Sequence, residues 1–99
     1  MNKEREKRMA NRVQVIKEAS KGFEGGDWRL CFQWCLYVYD NGTSEHGYRF
    51  IWRKENGNLQ GARGQARIPS VRDIDDLVAK ARVEGWANYD GDELGKTEF

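Results

Sequence analysis

The stretch WRLCFQWCLYVY, Trp28 to Tyr39, alternates between two kinds of side chain without a break. Trp28, Leu30, Phe32, Trp34, Leu36 and Val38 form one row, and Arg29, Cys31, Gln33, Cys35, Tyr37 and Tyr39 the other. A period of two is that of a β-strand, and a strand with so aromatic a row must bury it in a sheet. Asn41-Gly42 follows directly, and Asn56-Gly57 follows the next alternating run, GYRFIWRKE. Asn-Gly between such runs is the strongest short hairpin signal. The residues from Leu59 to Ile68 are then expected as a third strand, ended by Pro69.

Helical periodicity flanks these strands. In SVRDIDDLVAKARVEG, Val71, Ile74, Leu77, Val78 and Ala81 form an apolar stripe. Ser70 with Asp73 reads as a capping box, Lys80 and Arg82 suit the negative end of the dipole, and Gly85 suits the C′ position. Near the N-terminus, Met9, Val13 and Ile16 stand at i, i+4 and i+7 before Gly22, which predicts a first helix. The expected fold class is α+β in the order α-β-β-β-α: a three-stranded antiparallel meander with two helices on one face. Residues 1–8, nearly all charged, are expected to be disordered, 9–86 to form a single α+β domain, and 87–99 an acidic, flexible tail.

The turns allow two registers. If both Asn-Gly pairs form two-residue type I′ loops, Trp34 stands opposite Arg49 and Phe50 opposite Arg63. The open sheet face then carries Tyr37, Tyr48, Phe50, Trp52, Arg63, Gln65 and Arg67. In the rival register, one residue off, Phe50 and Trp52 join Phe32 and Trp34 in the core, and Arg49 and Arg53 turn outward. A slip of one flips every side chain of the slipped strand. Turn chemistry favours the first register and hydrophobic grouping the second.

Bulk properties limit the chemistry. At 99 residues the chain is one domain, and its formal net charge of +1 gives no global pull toward nucleic acid or membrane. The charge is uneven: residues 1–21 hold seven Lys/Arg against three Glu, and residues 86–99 one Lys against four Asp/Glu. Cys31 and Cys35, four apart in a strand, are separated by about 13 Å, too far for a disulfide. Free thiols and the absence of a signal-peptide pattern point to the cytoplasm. No apolar run approaches the ~20 residues of a membrane span, so no membrane association is expected. His46 is the single histidine, too little for a metal site with these thiols. Neither GGD nor GARGQAR has a phosphate-loop spacing, and no cofactor or small-molecule substrate is evident.

The expected function is therefore binding rather than catalysis. Aromatic and arginine side chains together, as on the face Tyr37, Tyr48, Phe50, Trp52, Arg63, Gln65 and Arg67, suit a protein partner or homodimer. They equally suit a single-stranded nucleic-acid platform, which is the alternative. The acidic tail, with Tyr89, Asp90, Asp92 and Glu93, could also cover that face.

The expected element order is similar to that of double-stranded-RNA-binding domains and of small HicA-type RNase toxins. The first resemblance implies RNA binding through lysines at the start of the second helix, where this sequence reads SVRDIDD. The second implies an RNase using a histidine near the first hairpin, and His46 in SEHG lies there. The likeness is one of order only, and order is a weak guide to function.

Overall fold

The computed structural model describes residues 10–60 and 66–90. Three strands, β1 (Ala10–Gly22), β2 (Arg29–Tyr39) and β3 (Ser44–Arg53), are followed by one helix, α1 (Val71–Val83). The strands form an antiparallel sheet in the order β1-β2-β3. An α+β fold built on a three-stranded antiparallel sheet is thus present, but its membership differs from the expected meander.

The predicted first helix is the main correction, because Ala10–Gly22 is a strand paired along β2. Val13, Val15 and Ile16 are β-branched, and so resist helix and suit a pleated surface. Their alternation is hidden in sequence by a register shift between Val15 and Lys17. Before the shift, Val13 and Val15 pair with Tyr37 and Cys35; after it, Lys17 and Ala19 pair with Trp34 and Phe32 on the other face. One extra residue at such a bulge changes the phase of a strand.

The predicted third strand, Leu59 to Ile68, falls half outside the described residues, and the rest shows only a first pairing with β3. Among the described residues of 59–68, only Leu59 bridges to Arg53, and the Gln60 N–H bonds the Trp52 carbonyl at 2.8 Å. Residues 61–65 lie outside the described residues, and Ala66–Ile68 form no strand. The described order is therefore β-β-β-α, with β1 as the third member of the sheet.

The register is the rival one. Trp34 pairs with Tyr48, Phe32 with Phe50 and Leu30 with Trp52. The reason lies in the loop. The Gly42 N–H bonds the Tyr39 carbonyl (3.1 Å), the Tyr39 N–H bonds the Thr43 carbonyl (2.9 Å), and Gly42 has φ 88°. This is a three-residue connection, a turn followed by a left-handed glycine, instead of a two-residue type I′ loop. The second Asn-Gly repeats it: Gly57 N–H to Lys54 carbonyl (2.8 Å), Lys54 N–H to Asn58 carbonyl (2.7 Å), φ 89° at Gly57. In both, the asparagine side-chain oxygen accepts the N–H two residues on, Asn41 from Thr43 and Asn56 from Asn58.

One face of the sheet holds the core. Ala19, Leu30, Phe32 and Trp34 are buried against Leu77 and Ala81 of α1 and against Trp86. Phe32 stacks on Tyr48, Phe50 and Trp86, with centroids 5.2, 4.8 and 5.5 Å away. The helix is set as its sequence predicts at both ends. The Asp73 carboxylate accepts the Ser70 N–H (3.1 Å). At the other end the Gly85 N–H returns to Arg82 and the Trp86 N–H to Ala81, with Gly85 at φ 87°. This is a Schellman closure, and it delivers Trp86 to the core at 1% exposure. Val71, expected in the buried stripe, is exposed.

Lys21 joins sheet and helix. Its ammonium meets Asp73 at 2.7 Å and Asp76 at 2.5 Å. The Asp73 carboxyl is held below its ordinary value, first by its hydrogen bond to Lys21; burial opposes this, and the Lys21 charge and the hydrogen bonds from Ser70 add to the lowering.

Candidate interaction surface

The strands of a sheet with one buried face must present the alternate side chains on the other. Here that second face carries Val13, Val15, Glu18 and Ser20 from β1 and Arg29, Cys31, Gln33, Cys35 and Tyr37 from β2. From β3 it carries Glu45, Gly47, Arg49, Ile51 and Arg53. Among the described residues, the core contacts of α1 and Trp86 all lie on the opposite face.

A polar network crosses its middle. Gln33 is fully buried in the central strand. Its amide donates to Glu18 (2.7 Å), and its oxygen accepts from the Nε of Arg49 (2.7 Å). Arg53 donates to the same Glu18 oxygen (2.5 Å) and to the Gly57 carbonyl (2.6 Å). The buried amide is thus satisfied at both ends, as burial of a polar group demands. Burial pushes the Glu18 carboxyl up, but the hydrogen bonds from Arg53 and Gln33 and the charge of Arg53 outweigh it and hold the group below its ordinary value.

Cys31 and Cys35 flank Gln33, fully buried and free. Burial pushes both thiols up, Cys31 further through the Glu18 charge and Cys35 against the opposing charge of Arg49. A thiol raised in this way is a poor nucleophile at neutral pH. His46 pairs with Leu36 and stacks on Trp34 on the helix side of the sheet, while Cys35 belongs to the other face. The two cannot act as a Cys–His pair.

The seven residues expected to share an open face are divided. Tyr37 lies on the helix-free face, half-buried, its hydroxyl pushed up by burial. Tyr48, Phe50 and Trp52 lie on the helix side, packed against the core. The Tyr48 hydroxyl donates to the Trp86 carbonyl (2.6 Å) and accepts the Tyr89 N–H (2.9 Å). Arg63 and Gln65 lie outside the described residues. Arg67 is exposed, and its carbonyl accepts the Trp52 indole N–H at 2.9 Å. In place of the three aromatics the face holds Arg49, Ile51 and Arg53, which the rival register turned outward, and Arg29 beside them.

Of the acidic tail, 87–90 is described: Tyr89 packs on Trp34, 5.1 Å between centroids, on the helix side. Asp92 and Glu93 lie outside the described residues. No group of three or more His, Cys, Asp or Glu among the described residues is placed to hold a metal ion, and no described helix is long and apolar enough to cross a membrane. No protein-family model, curated protein or solved structure matches this chain.

Proposed function

We propose that this chain is a small, non-enzymatic interaction protein whose contact surface is the helix-free face of the sheet. The partner is protein, a second copy of the chain included. One observation carries the reading: α1 and Trp86 pack on one face, while on the other Cys31, Gln33 and Cys35 are buried beneath a rim of Tyr37, Arg49, Ile51 and Arg53 that stays partly exposed, with no described helix over it. Arginine, tyrosine and aliphatic side chains meet there, a mixture typical of binding hot spots. The two unpaired thiols support a reducing, cytoplasmic setting.

Nucleic acid is the weaker reading. A single-stranded platform works by stacking bases on aromatic rings. Tyr48, Phe50 and Trp52, which made that reading attractive, face the helix side.

The test is an amide NMR titration of the full chain with fractionated cell lysate, RNA and DNA, together with solution mass over a range of concentrations. Protein fractions, or concentration itself, should shift the amides around Tyr37, Arg49 and Ile51, and Tyr37→Ala with Ile51→Ser should abolish the response. Shifts confined to α1, or a response to nucleic acid alone, would refute the proposal.

A further inference from the structure

The helix-free face carries an unbalanced row of charge. Arg29 and Arg53 are direct cross-strand partners. Like charges so placed destabilise a sheet. Arg53 is compensated by Glu18 and by the Gly57 carbonyl. Arg29 and Arg49 are not. The Nε of Arg29 bonds the neutral Ser20 hydroxyl at 3.1 Å, and the Nε of Arg49 bonds the neutral Gln33 oxygen at 2.7 Å. Neither is paired with a carboxylate among the described residues. The other acid of this face, Glu45, sits toward the hairpin and is held by the Tyr39 hydroxyl at 2.5 Å.

Both arginines are nevertheless oriented by a hydrogen bond from Nε. Gln33 is fully buried and engaged at both ends, so its oxygen is fixed under Arg49. Arg29 lies over Gly22, where a Cβ would come within 2.8 Å of its Nη1. Each Nε is tied back to a neutral group. An arginine oriented by a neutral group and unmatched by a carboxylate favours recognition of one. Arg49 and Arg53 stand four apart on β3, a separation of about 13 Å, with Arg29 across from the second. An extended chain repeats its side chains on one face about every 6.6 Å, so its residues four apart match this separation.

We propose that this face takes an acidic, extended segment of a partner protein, with Arg29 and Arg49 meeting its carboxylates. The inference rests on the reading of the face as a protein contact surface. The full chain is titrated with hexaglutamate and with hexaglutamine, at low and at high salt, following the arginine Nε–H and backbone amide signals. Hexaglutamate should shift the Arg29 and Arg49 signals, high salt should weaken the response, and hexaglutamine should leave them in place. Arg49→Gln, which retains a polar contact for Gln33, should weaken hexaglutamate binding at least about tenfold while the circular dichroism spectrum is kept.

Shifts centred on Lys17, Lys80 or α1 would overturn the inference. So would unchanged affinity in both Arg49→Gln and Arg29→Gln, or tighter binding of a single-stranded oligothymidylate to the same residues. If the face responds to dilution of the protein alone and ignores hexaglutamate, the acidic-partner inference falls and the contact-face reading stands. If it responds to neither, nor to lysate fractions, both fall.

Discussion

Trp86→Ala tests the link between the helix end and the sheet. The indole is 1% exposed, stacked on Phe32 at 5.5 Å and lying 6.4 Å from Tyr48. The groups that hold the backbone in place are main-chain: the Trp86 N–H to Ala81, and the Trp86 carbonyl receiving the Tyr48 hydroxyl. The substitution therefore removes the side chain and leaves the Schellman closure intact. Truncating a buried tryptophan costs about 3–5 kcal/mol, and the lost ring contacts, about 0.5–1.5 kcal/mol for an aromatic pair, place this site in the upper part of that range. Unfolding entropy near 60 °C is about 2.1 cal/mol/K per residue, or about 0.2 kcal/mol/K for a chain of this size. The midpoint should fall by about 20–25 °C. Thermal unfolding followed by far-UV circular dichroism measures it. Trp28→Ala is the control, since Trp28 is 39% exposed. A loss under about 1 kcal/mol, or one no larger than the control's, would refute the claim that Trp86 anchors this core.

Three other outcomes follow from particular groups. Glu18 and Asp73 lie below their ordinary values, so the stability they contribute is full above the unfolded carboxylate range, near pH 4, and is lost as pH falls through the folded values. Unfolding midpoints from pH 7 to pH 2 should decline at the acid end, and Asp73→Asn should flatten that decline; an unchanged slope would contradict the Lys21 pairing. Cys31 and Cys35 should react with a disulfide reagent at mildly alkaline pH far more slowly in the folded protein than in denaturant, and rapid native labelling of both would contradict their burial. Gly57→Ala should cost about 1–2 kcal/mol in denaturant unfolding, because φ is 89° and the site is otherwise open space. Gly26→Ala, with no such backbone constraint, should change stability by no more than about 0.5 kcal/mol, and equal effects would argue against the three-residue turn.

What could be read from the sequence was local. The strand nature of Trp28–Tyr39, the positions of both Asn-Gly turns, and α1 with its Ser70–Asp73 box and Gly85 closure each depend on residues close together in the chain. The first segment was not of this kind. Val13 and Ile16 fit a helical stripe as well as a strand, and the shift after Val15 breaks the alternation that would separate the two. Pairing with β2 decided it, because the long central strand offers β1 a complete hydrogen-bonded edge.

The register was equally beyond local reading. Asn-Gly fits a two-residue loop or the end of a three-residue one, and the difference of one residue exchanges the faces of β3. The tertiary structure chose the loop that sets Phe50 and Trp52 beside Phe32 and Leu30. Burying two large rings outweighs a small preference between turns. That choice also put Arg49 and Arg53 on the helix-free face. The sequence alone determined that this chain would have a sheet with one aromatic row, hairpin turns and a capped helix. Only the packing of that helix decided which side chains were left to meet a partner, because burial is a property of both surfaces that come together and neither strand carries it alone.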